Sequence, residues 1–305
     1  NHKENAARRM LSVRVNTLDS AKAAIDNGAD VVYVGGEAFR PFRPWTLAEY
    51  ADIIAYAKGK AKVVINTPRT TMRRECGELE QFLTAVASRP ELAADGIMVS
   101  NLGSLKLAKQ YTSLPVQADV SFNLFNHLSA RFLRENGLTQ ACSSLELSFG
   151  QLREIVESSE LPIETIVHGS YESMICDHNI PGMSLPHYNG LDNPETLDRR
   201  YALVDHAGEK HAIRIDQFDR NHIYFAKDLC LYPYLKKFNG IASYRIEAQD
   251  YTPEFTGKVT KIYREALDAL ANGQENDQSK LDKLNQGPRE LGLGTYRFRQ
   301  SRNSI

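Results

Sequence analysis

Several side chains that can transfer protons or bind a metal stand directly after short apolar segments of this chain. Those with carboxylate, imidazole or carboxamide groups are Asn66, Asn101, Asp119, Glu146, His168 and Glu247. Carboxylates and imidazoles act as general acids and bases, and together they bind divalent metals. If the fold brings these positions together, Glu146, His168, Asp119 and Glu247 are the candidate catalytic residues.

The elements that must position these residues can be read from the apolar pattern. The apolar segments span 11–15, 31–34, 63–65, 96–100, 115–118, 142–147, 163–167 and 243–246. Between most of them, apolar residues recur three and four positions apart, which indicates amphipathic helices. Alternating strands and helices predict parallel βαβ units, and eight such units close an α/β fold, the (β/α)8 TIM-like barrel. Catalytic groups of that barrel lie where strands end, so the polar residues would meet on one rim.

A purely structural interpretation of the same positions stays open. Strands often end in Asn, Asp or Gly only to turn the chain or to cap the next helix. His168 could equally be a hydrogen-bonded histidine that supports the loop after its strand. The rim as a whole is therefore a stronger candidate than any one of its residues.

One long interval interrupts the regular spacing, between His168 and Ser243. Two strand-like pieces at 201–204 and 211–215 flank the turn signal at 205–208, which predicts a β-hairpin. We expect a barrel over 11–272, a lid inserted at 169–242 between strands seven and eight, and a polar tail or linker to a further domain at 273–305. The tail is expected to pack loosely or to lead towards that domain.

Composition narrows the class of protein. The 305 residues are 42% hydrophobic and 25% charged, which is typical of a globular protein and argues against disorder or a fibrous repeat. The net charge of -1 gives no polybasic signature, although local basic stretches can still bind nucleic acid. No apolar run approaches a membrane span, and we expect a cytoplasmic protein without a disulfide framework. Because the chain starts without Met and soon enters its first strand, we interpret it as an excised part of a longer protein.

Arginines follow the second and third strands, close to aromatic residues. The arginines are Arg40, Arg43, Arg69, Arg73 and Arg74, and the aromatic residues are Phe39, Phe42 and Trp45. Arginine beside aromatic rings suits single-stranded nucleic acid or a flat anionic ligand, although arginines are also common on ordinary surfaces. The substrate-binding candidates are Arg43, Arg69, Asn66, Asn101 and Arg245.

Hydrolysis is a different class of function for the same rim. A peptidase needs an activated nucleophile or a metal-bound water. The sequence has no His-Glu-x-x-His pair and no Gly-x-Ser-x-Gly elbow. His168, Glu146, Asp119 and His127 could bind a divalent metal only if the barrel brings them together.

Strings of residues along most of the chain resemble one known family. They include 27–37 (NGADVVYVGGE), 94–103 (ADGIMVSNLG), 145–148 (LELS), 201–205 (YALVD), 227–230 (KDLC) and 240–247 (GIASYRIE). Their order from Leu11 to about Leu267 is similar to that of the collagenase-like peptidase family, also called peptidase family U-32. The opening resembles a barrel half of its larger members.

The resemblance implies one of two function classes. Some members are described as peptidases or collagenases. Others act in oxygen-independent hydroxylation of tRNA or rRNA bases or of the ubiquinone ring, and they carry a 4Fe-4S cluster on four cysteines, which supplies redox capacity that side chains lack. A prephenate-like hydroxyl donor would suit the arginine and aromatic patch.

The resemblance also locates the cysteines. Cys176 and Cys230 occupy two of the positions at which the family carries cluster ligands, whereas this chain has Glu172 and Asn179 where other ligands are expected. The other two cysteines are Cys76 and Cys142. Leu145 stands where many relatives have an Arg. We therefore expect an incomplete ligand set, with a 4Fe-4S cluster on Cys176 and Cys230 or a divalent metal as open alternatives.

The leading hypothesis is a role in RNA base hydroxylation, which includes the case of a cluster-poor half that works with a homologous subunit or another domain of the same chain. The first alternative is a collagenase-like peptidase that uses rim carboxylates or a metal. The second is a non-catalytic scaffold barrel.

Overall fold

The computed structural model describes residues 8–180, 183 and 201–296. The strands are β1 (Met10–Arg14), β2 (Val31–Gly35), β3 (Lys62–Asn66), β4 (Gly96–Val99), β5 (Val116–Ala118), β6 (Leu138–Cys142), β7 (Ile163–Gly169), β8 (Glu172–Cys176), β9 (Tyr201–Val204), β10 (Lys210–Ile215), β11 (Asn221–Tyr224), β12 (Asp228–Cys230), β13 (Ser243–Glu247) and β14 (Leu291–Gly292). Strands β1 to β7 pair in parallel in chain order, and β13 pairs with both β7 and β1. This closure confirms the predicted (β/α)8 barrel.

Helices connect barrel strands β1 to β7, and others follow the last barrel strand, β13. They are α1 (Leu18–Asp26), α2 (Leu47–Ala57), α3 (Cys76–Ser88), α4 (Leu102–Tyr111), α5 (His127–Glu135), α6 (Phe149–Ser158), α7 (Pro253–Ala271) and α8 (Leu281–Leu284). A capping box starts α2: Thr46 Oγ1 accepts a hydrogen bond from the Glu49 N–H, and the Glu49 carboxylate accepts one from the Thr46 N–H. Such a capping box satisfies amide groups that have no partner within the helix. Local sequence thus determines where α2 begins.

The two faces of the barrel strands bury different chemistry, because side chains alternate along a strand. Outward residues such as Val13, Val32 and Ile65 are fully buried beneath the helices and belong to the main apolar core. Burial of one such side chain contributes about 1.5–3 kcal/mol to folding. A small inner group of Val31, Tyr33, Val64 and Met98 fills part of the barrel. Several other inward positions are polar, including Ser12, Arg14, Glu164 and Arg245, so the interior can hold a charged site.

The insertion between the last two barrel strands forms a lid. Strands β8, β11, β10 and β9 pair antiparallel in that order, and β9 and β10 form the predicted hairpin. The chain then returns through β12, which pairs antiparallel with β7. Part of the predicted lid, 184–200, lies outside the described residues.

The segment expected to be a loosely packed tail or a linker returns to the barrel in its described part, 273–296. Strand β14 pairs with β12. Arg289 forms ion pairs with Asp228 and Asp250, at 2.7 and 2.5 Å, and Tyr296 is buried. This part of the tail therefore stabilises the lid side of the barrel.

The sixth strand differs from its predicted position. It spans Leu138–Cys142, whereas the apolar run had suggested 142–147. Residues 143–148 form the loop before α6, where Leu147 is buried as part of the core. The apolar residues of that loop therefore pack it on the core and do not form a strand.

Candidate active site

Arg245 lies at the centre of a charged cluster inside the barrel. Its side chain is fully buried, and its Nη1 lies 2.8 Å from Asp119 Oδ1 and 3.3 Å from Glu164 Oε2. Its Nη2 lies 2.5 Å from Glu247 Oε1. These residues come from β13, β7 and the end of β5, so barrel closure brings together groups far apart in sequence.

Arg14 extends the cluster towards the second strand. Its Nη1 lies 3.2 Å from Asp119 Oδ2, and its Nη2 lies 3.2 Å from Glu37 Oε2. Asp119 therefore bridges two guanidinium groups. We call Arg14, Glu37, Asp119, Glu164, Arg245 and Glu247 the central cluster.

Charge within the central cluster is unbalanced, because four carboxylates face two guanidinium groups. Burial raises the pKa of Glu37 and of Glu247, although the arginines act in the opposite direction. Burial also tends to raise the pKa of Asp119, but Arg245 and Arg14 hold it well below its usual range. The cluster thus places two carboxyl groups that can hold a proton beside one that remains ionised, a combination suited to acid–base chemistry.

Hydrogen bonds fix Glu164 at the base of the cluster. Its Oε1 accepts bonds from Ser12 Oγ and Tyr33 OH, both 2.7 Å long. The Arg245 guanidinium lies over the Tyr33 ring at 5.2 Å from the ring centre. Glu164 therefore serves to position Arg245.

The lid contributes a second group of charges, which we call the lid junction: Arg69, Glu172, Asp216 and His222. His222 Nδ1 lies 2.6 Å from Glu172 Oε1, and its Nε2 lies 3.1 Å from Asp216 Oδ2. Arg69 pairs with the other oxygen of Glu172, and its backbone N–H donates to Glu37. The lid junction is thus linked directly to the central cluster.

His222 and Glu172 both keep their charges at neutral pH. Burial opposes protonation of His222, but Glu172 and Asp216 raise its pKa to about 10. Burial also opposes ionisation of Glu172, but His222 and Arg69 lower its pKa to about 2. The His222 side chain is only 1% exposed, although it belongs to the lid.

A small cavity lies between the central cluster and the lid junction, beside their direct contact. Arg14, Glu37, Glu247, Arg69 and Glu172 line it, and its volume is about 30 Å³. This space is large enough for one water molecule, which needs about 10–15 Å³. A larger ligand must approach from beside the cluster or displace part of the lid.

Four of the predicted site residues meet here: Asp119, Glu247, Arg245 and Arg69. The other predicted positions serve different contacts. Asn101 caps α4, since its Oδ1 accepts the Ser104 N–H at 2.9 Å. Arg43 is 65% exposed and pairs with Glu49, and Glu146 is exposed in the loop after β6. Arg43 and Glu146 do not contact the central cluster.

Asn66 lies next to the central cluster at the end of β3. Its side chain is 2% exposed, and neither amide atom has a hydrogen-bond partner within the described ranges. It lines a separate cavity between α2 and α3.

His168 does not face the rim, contrary to the expectation for residues at strand ends. Its ring packs against the outer wall, with Nδ1 3.1 Å from Tyr263 OH and Nε2 3.2 Å from Tyr251 OH. The pairing of β7 with β13 shifts register between Arg245 and Ile246, so His168 turns away from the interior. Burial lowers its pKa to about 3, and it is therefore neutral.

The cysteines do not fit a four-cysteine cluster. Cys230 is buried, with its Sγ 3.8 Å from Tyr263 OH, and burial raises the pKa of its thiol. Cys176 lies on β8 beside Met174, Cys142 is buried at the end of β6, and Cys76 begins α3. Across residues 8–180 and 201–296 no three His, Cys, Asp or Glu side chains are arranged to hold a metal ion. A cluster on Cys176 and Cys230, or a divalent metal at the rim, thus has no ligand set in this part of the chain.

The sequence pattern did not identify Arg14, Glu37 and Glu164 as site residues. Arg14 and Glu164 lie inside apolar strand segments, and a charge in such a segment was the available signal, because it must be paired when buried. Glu37 follows the left-handed residues Gly35 and Gly36, which turn the chain back over the barrel mouth. Its position depends on that turn and had no signal in the apolar pattern.

No helix in the described part of the chain is both long and apolar enough to span a bilayer.

The proteins to which this chain is similar include one named as a protease and two named for RNA hydroxylation. A Methanocaldococcus jannaschii protein named as an uncharacterized protease is 28% identical over 290 residues, which cover 90% of this chain and 68% of that protein. A 23S rRNA 5-hydroxycytidine synthase of Escherichia coli is 26% identical and covers 82% of this chain, but only 38% of its own length is matched. A tRNA hydroxylation protein P of Helicobacter pylori is 26% identical, and the match covers 82% of this chain and 62% of that protein. The chain thus spans less than two thirds of the two hydroxylation proteins.

The sequence model of peptidase family U32 matches residues 16–296. The match includes Glu37, Asp119, Glu164, Arg245 and Glu247, and it extends through the lid into the tail. Because it covers most of the barrel as well, the chain belongs to peptidase family U32.

Proposed function

We propose that this chain takes part in the hydroxylation of RNA bases, with the central cluster facing the base. Relatives named for rRNA and tRNA hydroxylation support this assignment. The structural observation that carries it is the pairing of fixed cations, Arg14 and Arg245, with carboxyl groups whose pKa burial raises. Such a site can hold and move a proton next to a ring on which charge develops.

The oxidation itself must involve another component. Replacing a ring C–H by C–OH adds an oxygen atom and removes two electrons, which side chains such as these cannot accept. We assign to this chain the binding of the base and the handling of protons at Glu37 and Glu247. A co-substrate or water supplies the oxygen atom. The two electrons pass to a co-substrate or to a redox group on a homologous subunit or on another domain of the same protein.

Mass spectrometry of nucleosides from purified tRNA and rRNA tests the proposal. Deleting the gene should remove at least one hydroxylated pyrimidine, and the unaltered gene should restore it. A Glu247→Gln gene should restore much less, because the amide cannot exchange a proton in the same way. An unchanged set of hydroxylated nucleosides in the deletion strain would exclude the proposed function.

The peptidase alternative has less support from the geometry. In the described ranges, no serine or cysteine side chain makes a hydrogen bond to a histidine, although such a contact activates many nucleophiles. Relatives named protease and collagenase keep the question worth testing. Cleavage of gelatin that survives purification and disappears in Glu247→Gln would favour this alternative.

The same rescue experiment tests the scaffold alternative. If the deletion removes a hydroxylated nucleoside but both Glu247→Gln and Glu37→Gln restore it fully, the barrel acts without the central cluster.

A further inference from the structure

A second cavity lies beside the central cluster, between the loops that follow β2 and β3. Its volume is about 160 Å³. Aromatic rings form much of its wall: Trp45, Tyr50, Phe82 and Phe218. Phe218 belongs to the turn between β10 and β11, so the lid covers one side of this aromatic cavity.

Asn66 gives the aromatic cavity an unusual polar wall. It is 2% exposed, and both Oδ1 and Nδ2 are buried with no hydrogen-bond partner in the described part of the chain. Thr71 Oγ1, on the same wall, is also buried and unpartnered. Buried polar groups are normally hydrogen-bonded, so a carboxamide without partners at a cavity wall indicates a ligand with complementary groups.

The size and chemistry of the aromatic cavity select a class of ligand. A cavity of about 150 Å³ holds a benzene ring, so this one suits a single six-membered ring. A carboxamide offers one acceptor and a donor side by side, which match the pairing edge of cytosine or uracil. Aromatic walls stack on the faces of such a base, as in enzymes that read an extruded nucleotide.

Carboxylates in the wall disfavour an anionic ring. Glu75 and Glu78 line the aromatic cavity, and Glu75 Oε1 lies 2.5 Å from Arg220 Nη2. Burial opposes ionisation of Glu75, yet Arg220 lowers its pKa overall, so it keeps its negative charge. A neutral base is therefore favoured over an aromatic carboxylate of similar size.

The aromatic cavity adjoins the central cluster through Gly36. A Cβ on Gly36 would lie 3.3 Å from Asn66 Cβ and 3.5 Å from Arg14 Nη2. Only one residue therefore separates the unpartnered carboxamide from the guanidinium that holds Glu37. A base paired with Asn66 would lie next to the groups assigned to proton handling.

We propose that the aromatic cavity binds a pyrimidine base through Asn66. This inference rests on the proposed function, because it identifies the part of the RNA that the site receives.

Intrinsic fluorescence provides a direct test, since Trp45 is the one tryptophan of the chain and lines the cavity. The full chain is titrated with cytidine, uridine, adenosine and benzoate. Cytidine or uridine should change the Trp45 emission with saturation, whereas adenosine and benzoate should not. Absence of a saturable change with both pyrimidines, or an equal response to benzoate, would overturn the proposal.

Two variants and a matched control connect the signal to Asn66. Asn66→Ala should weaken pyrimidine binding about tenfold or more, the effect of one or two lost hydrogen bonds. Asn239→Ala, at an exposed asparagine before β13, should bind as the unaltered chain does. Phe218→Ala removes a ring from the lid side and should also weaken binding, which covers the case in which Asn66→Ala does not fold. Unaltered affinity in a folded Asn66→Ala, or in Phe218→Ala, would overturn the proposal.

The two proposals fail in different assays. Loss of hydroxylated nucleosides in the deletion strain without pyrimidine binding at Trp45 overturns only the cavity assignment. Pyrimidine binding with unchanged nucleosides in the deletion strain overturns only the proposed function.

Discussion

Two buried histidines belong to polar regions with opposite characters. His222 lies in the lid junction between two carboxylates, and its pKa is raised to about 10. His168 lies on the outer wall between two tyrosine hydroxyls, and burial lowers its pKa to about 3. Both side chains are almost completely buried, so burial alone does not distinguish them.

The surrounding charge separates the two regions. The lid junction and the central cluster hold formal charges around a small cavity, whereas His168 itself contacts only the neutral hydroxyls of Tyr251 and Tyr263. Tyr251 in turn donates to Asp228, whose charge is paired with Arg289. Neutral hydrogen bonds that fill a wall stabilise a fold. Unbalanced charge beside a cavity costs stability. The excess of carboxylates in the central cluster therefore supports the proposed assignment of proton handling to that cluster.

The largest effect should come from removing the central cation. Arg245→Met leaves three carboxylates without their shared partner and should lower the free energy of unfolding by about 3–5 kcal/mol. Urea denaturation measures the loss. Arg43→Met removes an exposed ion pair and is the control, with a change below about 1 kcal/mol. A similar loss in both variants would mean that the central cluster is not held as described.

The barrel could be predicted because the spacing of apolar residues and the helix caps are local properties of the sequence. Strand ends at Asn66, Asp119 and Glu247 were placed correctly for the same reason. Glu146 was misplaced because an apolar loop after β6 resembles a strand, and His168 because a register shift depends on the neighbouring strand. The partners of Arg14 and His222 could not be predicted, since lid and barrel residues meet only in the folded chain.

Opposite dependence on pH should distinguish the two histidines. The folded-state pKa of His222 is raised from 6.5 to about 10. Its contribution to the free energy of unfolding is therefore complete below pH 6.5 and is lost as the pH rises towards 10. The folded-state pKa of His168 is lowered from 6.5 to about 3, so its contribution is complete above pH 6.5 and is lost as the pH falls towards 3.

Urea unfolding of His222→Gln and His168→Gln from pH 4 to 10 checks these slopes against the unaltered chain. The stability advantage over His222→Gln should shrink on the alkaline side, and the advantage over His168→Gln should shrink on the acid side. Advantages that change in the same direction with pH would remove the distinction between the regions.

The smallest effect tests whether Asn101 belongs to the functional side of the comparison. Its Oδ1 caps α4, and its Nδ2 donates to the Arg69 carbonyl at 3.3 Å. Asn101→Ala should cost about 1 kcal/mol through the lost cap, whereas Asn101→Ser keeps a capping oxygen and should cost less. If Asn101 only caps the helix, Asn101→Ser should restore the hydroxylated nucleosides in the deletion strain. If it also holds Arg69 in the lid junction, the serine variant should be stable but restore them poorly, because serine cannot reach that carbonyl as the longer amide does.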